Sequence, residues 1–174
     1  MRLIILSLLL TFSNVASAFQ QSCNTWLSGD QIFTINRAYQ LGVEHDLGYT
    51  LAAIAFLESS AGVQLRNDRT QDYGVFGINI RTVSNRLNQL TGVTLNRNQR
   101  EQLKNHLIVD MNANAMYAVM ELQFWKRVHG QNNWRKVWAS YNAGHSYHRQ
   151  VGVDYANKIA ETINKIKRLN CLTI

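Results

Sequence analysis

Proline is absent from this 174-residue chain, cysteine occurs twice, and acidic residues are scarce, 11 against 18 lysines and arginines. The lack of proline, together with the lack of any low-complexity tract, excludes collagen-like and Pro-rich architectures and leaves no linker at which to divide the chain. Charged residues make up 17% and apolar residues 46%, which excludes an intrinsically disordered chain. The length falls within the roughly 100–200 residues of a typical domain, so one globular unit is expected, large enough to fold without a metal. The shortage of acids leaves a net charge of +7 and a pI near 9.7. An anionic partner is then expected: nucleic acid, a membrane surface or an acidic cell-wall polymer.

Long apolar runs are also lacking. The most extended one opens the chain, Leu3 to Phe12, broken by Ser7 and Thr11. It reaches about half of the ~20 residues that a membrane span needs. Arg2 precedes it, Ser13 and Asn14 follow, and Ala16-Ser17-Ala18 offers a small-x-small cleavage site. That is the layout of a secretory signal, so residues 1–18 read as a cleaved signal peptide and 19–174 as an exported domain with no stable membrane span. A membrane anchor is the alternative for this segment. Export to the periplasm or beyond puts Cys23 and Cys171 in an oxidising compartment. Their single possible intramolecular pairing is expected to tie the two ends of the mature chain; two free thiols are the alternative. Export also sets aside a nuclear or cytoplasmic nucleic-acid role, and the charge then points to an envelope polymer.

Helical spacing dominates the mature chain. Ser28 is placed to cap a helix running through Ile32, Ile35 and Ala38 to Gly42, and Asp46 to cap a second from about Leu47 to Ser60. Val75, Phe76, Ile78 and Ile80 alternate as a short strand or hairpin would. Between Asn98 and Gly130 the positions Leu103, Leu107, Met111, Ala115, Val119, Leu122 and Trp125 describe one long helix or two abutting ones. Trp134 to Tyr141 and Tyr155 to Leu169 complete a mainly α fold with at most a small β-hairpin.

The second helix carries the most chemistry. Leu51 to Leu57 is apolar on every face, which marks a central, buried helix. Glu58 continues that stripe at i+3, i+4 and i+7 from Ala55, Ile54 and Leu51. Desolvation there would raise its pKa, and a protonated carboxylic acid in an apolar cleft is what a glycosidase needs to protonate a leaving oxygen. Spacing alone leaves open a helix-end glutamate that points into solvent beside Ser59 and Ser60.

Three segments in order decide between these: Ala55-Phe56-Leu57-Glu58-Ser59, then Asp72-Tyr73-Gly74-Val75-Phe76-Gly77-Ile78-Asn79, then Ser140-Tyr141-Asn142-Ala143-Gly144, the last preceded by Gln131-Asn132-Asn133-Trp134-Arg135-Lys136-Val137-Trp138. Together they resemble the soluble lytic transglycosylase domain, glycoside hydrolase family 23 and its lysozyme-like relatives, over about Trp26 to Leu169. The resemblance implies a lysozyme-like α+β fold and cleavage of the bond between N-acetylmuramic acid and N-acetylglucosamine. Glu58 matches the catalytic acid/base, and Tyr141 the tyrosine whose hydroxyl bonds and orients it. Glycan-contacting positions are implied at Ser59, Gly74, Phe76, Asn79, Asn142 and Gly144. Glu58 would protonate the glycosidic oxygen and then accept the proton of the muramoyl C6 hydroxyl, which attacks within the same sugar. A 1,6-anhydro end results, with no water consumed.

Two features depart from that pattern. Gly77 stands where the family carries a glutamine able to bond an N-acetyl group or support the strand, which puts a subsite in question. The segment Asp72 to Asn79 is also similar to the part of animal-type lysozymes that carries their second carboxylate. If Asp72 faces Glu58 across a cleft, hydrolysis becomes the alternative chemistry; the plainer role of Asp72 is an Asx-type turn before Tyr73-Gly74.

The remaining signals are weaker. His145 and His148 form a His-x-x-His pair without a third ligand, so no metal or other cofactor is expected. Trp125, Trp134 and Trp138 read mainly as core, with one of them expected to line the groove and meet a sugar face. Lys158, Lys165, Lys167 and Arg168 lie opposite Ile159, Ile163 and Ile166, a solvated helix face rather than a membrane-adhesive one. The whole reads as a monomeric exported enzyme acting on peptidoglycan strands, in a secretion, conjugation or phage-lysis setting. A non-catalytic glycan-binding or envelope-assembly protein is the rival of another class.

Overall fold

A computed structural model describes residues 23–173; the expected signal peptide lies outside them. Helix α1, Gly29–Val43, starts in a capping box: Ser28 Oγ accepts from the Gln31 N–H, and the Gln31 side chain accepts from the Ser28 N–H. Helix α2, Gly48–Ser59, follows without a side-chain cap. The expected cap, Asp46, instead takes φ 57°, and backbone bonds from Asp46 and Leu47 to Val43 and Gly42 close the turn around the fully buried Leu47. Burying that leucine outweighs a surface cap. Leu51, Ala52, Ala53, Ile54 and Ala55 are fully enclosed, and α2 packs against α1 and the C-terminal helix.

Three two-residue strands follow, β1 Arg66–Asn67, β2 Asp72–Tyr73 and β3 Ile78–Asn79, antiparallel in the order β1-β2-β3. Asp72 pairs with Asn67 on one side and Asn79 on the other. The expected strand over Val75–Ile80 is corrected at both ends. Val75 and Phe76 belong to the turn between β2 and β3, and Ile80 opens helix α3, Ile80–Thr91. Asn79 caps α3 by accepting from the Arg81 and Thr82 N–H groups.

The long apolar periodicity resolves into two helices, α4 Arg97–Val109 and α5 Met111–His129. Asp110 breaks them apart, because its carboxylate caps α5 by accepting from the Asn112 and Ala113 N–H groups at 2.8 and 3.1 Å. Helix α6, Trp134–Ala143, leads through a 3-10 turn at Gly144–Ser146 into α7, Gln150–Arg168. The result is mainly helical with a small three-stranded sheet, and no helix among the described residues is long and apolar enough to cross a membrane.

Cys23 and Cys171 form a disulfide across 148 positions of sequence, with Cα atoms 5.4 Å apart. Leu27, Ile35, Ala52, Ala61, Ile166 and Leu172 pack around it as a core of their own. The bridge joins the segment before α1 to the segment after α7, the two elements that flank α2. Thiol titration of the unfolded, unreduced protein is expected to find no free cysteine, and Cys23→Ser/Cys171→Ser to lose about 2–5 kcal/mol of unfolding free energy.

Candidate functional site

Glu58 lies in the last turn of α2, where the helix leaves the core. The chain ends there through left-handed residues, Ser60 at φ 52° and Ala61 at φ 55°. Ser59 closes the turn: fully buried, its hydroxyl donates to the Ala55 carbonyl at 2.9 Å and accepts from the Gly62 N–H at 2.8 Å. Ser59 is therefore a helix-terminating residue, and the expectation that it contacts substrate is corrected.

A groove of about 840 Å³ opens over Glu58. Asp72, Gly77 and Asn79 line it from the sheet and its turn, Arg86 from α3, Glu121, Phe124 and Trp125 from α5, and Tyr141 and Asn142 from α6, with Gly144 and His145 just beyond. Asp72, Asn79, Asn142 and Gly144 thus all line the groove. Gly74 and Phe76 do not. Phe76 is fully buried, and Gly74 packs so tightly that a Cβ would stand 2.2 Å from the Leu107 carbonyl oxygen, at a φ of 78°. Both belong to a turn held by Asn114, a buried side chain of α5 that accepts from the Phe76 N–H at 2.8 Å and donates to the Tyr73 carbonyl at 2.9 Å. Their expected glycan contacts are corrected to this supporting part.

The tyrosine on Glu58 is not the expected one. Tyr155 of α7 donates its hydroxyl to Glu58 Oε1, whereas the Tyr141 hydroxyl donates to the Phe76 carbonyl at 2.8 Å. The two rings stack 6.5 Å apart and 15° from parallel. Burial first, then the negative charge of Glu58, hold both phenols well above their ordinary pKa, so both remain donors. Tyr155 lies four residues before Ile159 on the inward face of α7, a buried aromatic with a polar tip, and that was the signal available in the sequence.

Protein atoms crowd Glu58 on all sides but the groove, and this desolvation raises its pKa from 4.5 to about 7. The Tyr155 bond opposes the rise, and the charge of Asp72 adds to it. Asp72 accepts from Asn79 Nδ2 at 2.8 Å. Gly77 is explained by the same crowding: at φ 59°, a Cβ there would meet Glu58 Oε2 at 2.6 Å. A glutamine at this position and the present Glu58 conformation exclude one another.

Farther along the groove, Arg86 forks onto Glu121 at 3.0–3.3 Å and lies 3.5 Å over the Phe124 ring. Trp125 is buried with its Nε1 unpartnered among the described residues, between the rings of His129 and His145. Trp134 and Trp138 lie near each other, the latter donating to Thr50 Oγ1 at 3.3 Å. His148 meets Tyr147 edge-on, and no group of three or more His, Cys, Asp or Glu among the described residues suits a metal ion.

With this geometry in view, one relative is informative. An uncharacterized 20.7 kDa protein in the vs-regB intergenic region of Enterobacteria phage T4 is 27% identical over 190 aligned positions, which take in all of this chain and 98% of the phage protein. No family model matches the chain, and no solved structure matches it.

The raised pKa has a sign that can be checked. Between about 4.5 and 7 the folded protein keeps on Glu58 a proton that the unfolded chain has lost. Stability therefore falls as pH rises through that window, by about 3 kcal/mol for the full shift. Glu58→Gln is expected to be more stable than wild type by about that amount at pH 8 and equal to it at pH 4, read by denaturant unfolding. In a carbon-detected NMR titration, Tyr155→Phe should move the Glu58 carboxyl pKa upward, because the lost bond favoured the charged form, while Tyr141→Phe should leave it in place.

Proposed function

We propose that this protein is an exported enzyme that cleaves peptidoglycan glycan strands at the MurNAc–GlcNAc bond, with Glu58 as acid and then base. The observation that carries the reading is a desolvated glutamic acid at an open groove, held by Tyr155 and poised near pH 7. A carboxyl with that pKa is protonated often enough to donate to a glycosidic oxygen and is acidic enough to release the proton. The resemblance in the three sequence segments supplies the substrate class and a lysozyme-like fold. A relative from a phage favours a phage setting over a secretion or conjugation apparatus.

In the first course of reaction, Glu58 protonates the oxygen leaving C1 of the muramoyl residue as that bond breaks. The resulting carboxylate accepts the proton of the C6 hydroxyl while that oxygen bonds to C1. One carboxylate suffices because the sugar supplies its own nucleophile, and Glu58 ends protonated as it began. Tyr155 would position the acid, and Asn142 and Gly144, which line the groove, would meet the strand.

Asp72 favours a second course, since it lines the same groove and its charge acts on Glu58. As nucleophile or as base for a water it would make the enzyme a hydrolase. Its bond from Asn79 equally suits a carboxylate that only braces the sheet.

Mass spectrometry of muropeptides released from purified peptidoglycan tests both. Anhydro-muramoyl ends, lighter than hydrolysis products by one water, are expected, and reducing ends would establish the hydrolase. Strands bound but uncut would move the protein to the glycan-binding class. Glu58→Gln should lower turnover by at least about a hundredfold, as loss of a positioned general acid does. Asp72→Asn should leave most of the rate in a transglycosylase and remove it in a two-carboxylate hydrolase.

A further inference from the structure

Beside the groove lies a second cavity of about 380 Å³ whose rim is largely cationic. Successive residues of a strand face opposite sides of a sheet. Accordingly Asp72 lines the groove while Tyr73 lines the cavity, joined there by Gln71 from the turn before the strand, which makes β2 the partition between them. Arg97, Arg100, Glu101 and Lys104 recur at i, i+3, i+4 and i+7 on α4 and form the outer wall. Arg81, in the first turn of α3, lines both spaces.

The cations are not balanced. Lys104 bonds Glu101 at 3.2 Å and lies 3.7 Å from Asp68, so the one acid of the cavity is already engaged. Arg81, Arg97 and Arg100 form no ion pair among the described residues. Two of them sit in an unfavourable place. Arg97 and Arg100 occupy the start of α4, where the helix dipole already presents positive charge and the first turn holds no acidic residue. Like charges three apart also repel one another. A bound anion removes both penalties.

We propose that this cavity holds the carboxylates of the peptide that branches from a glycan strand lying in the groove. The assignment rests on the groove taking that strand. Each muramoyl residue carries a peptide ending in free carboxylates, and Arg81 stands where such a branch would pass from one space to the other. Planar guanidinium groups match carboxylates bidentately. Gln71 adds an acceptor for a peptide N–H group, which a phosphate polymer lacks.

The test is equilibrium binding of soluble, end-labelled glycan strands to Glu58→Gln protein, comparing strands that carry peptides with the same strands stripped by an amidase. Peptide-bearing strands are expected to bind about tenfold tighter, the worth of one good charge-assisted contact. In Glu58→Gln/Arg97→Gln/Arg100→Gln the ratio should fall to about one, and Arg97→Lys/Arg100→Lys should keep part of it, which a misfolded variant would not. Equal binding of the two strands, no binding of either, or a ratio that survives the glutamine pair overturns the subsite. Should the wild-type enzyme leave both strands uncut while the preference persists, the catalytic reading falls and the subsite stands.

Discussion

A carboxyl group held away from water is costly unless something compensates, and Glu58 sits where an all-apolar helix has just delivered its last turn out of the core. The molecule meets that cost by letting the group keep its proton up to about pH 7 and by donating a tyrosine hydroxyl to it. Much of the neighbourhood follows from this arrangement. Tyr155 and Tyr141 are buried and stacked, Gly77 yields the space beside Oε2, and Ser59 ends the helix so that the next residues turn away. The same desolvation that raises the pKa of Glu58 weakens the fold at neutral pH.

The small sheet matters more than its six residues suggest. Its turn is fastened to α5 by Asn114, which accepts from one side of the turn and donates to the other side. That anchor keeps Asp72 and Asn79 on the groove side and Tyr73 on the far side. Rigid placement of the sheet against α5 is thus what separates a neutral-to-acidic groove floor from a cationic cavity behind it. At the opposite end, the disulfide and its own small core clamp the segments that flank α1 and α7, so the helix bearing Tyr155 is tied to the one preceding Glu58.

Several elements were legible from local chemistry. The Ser28 cap, the apolar run of α2 and the period of α4 and α5 all express contacts within a few residues. The misplaced pieces share a different origin. Ile80 alternates with Ile78 and Phe76, yet Ile80, Val83, Leu87 and Leu90 also repeat at helical spacing, and Asn79 caps that helix. Two readings competed over the same residue, and the cap decided it. Asp46 has a cap's chemistry but was overruled by the burial of Leu47. Phe76 and Gly74 were implied as groove residues by the resemblance alone; their side of the turn is core.

The sequence by itself determined the secondary structure class, the single possible disulfide and the candidacy of Glu58, because each rests on composition, on counting or on periodicity along one helix. Only the tertiary structure decided which phenol bonds Glu58, since Tyr155 is 97 residues away and Tyr141 is 83. It also decided that Gly77 packs directly against Oε2, that Arg86 neutralises Glu121, and that the basic stripe of α4 faces a cavity. Those are contacts between elements distant in the chain, and no local pattern encodes the packing that brings them together.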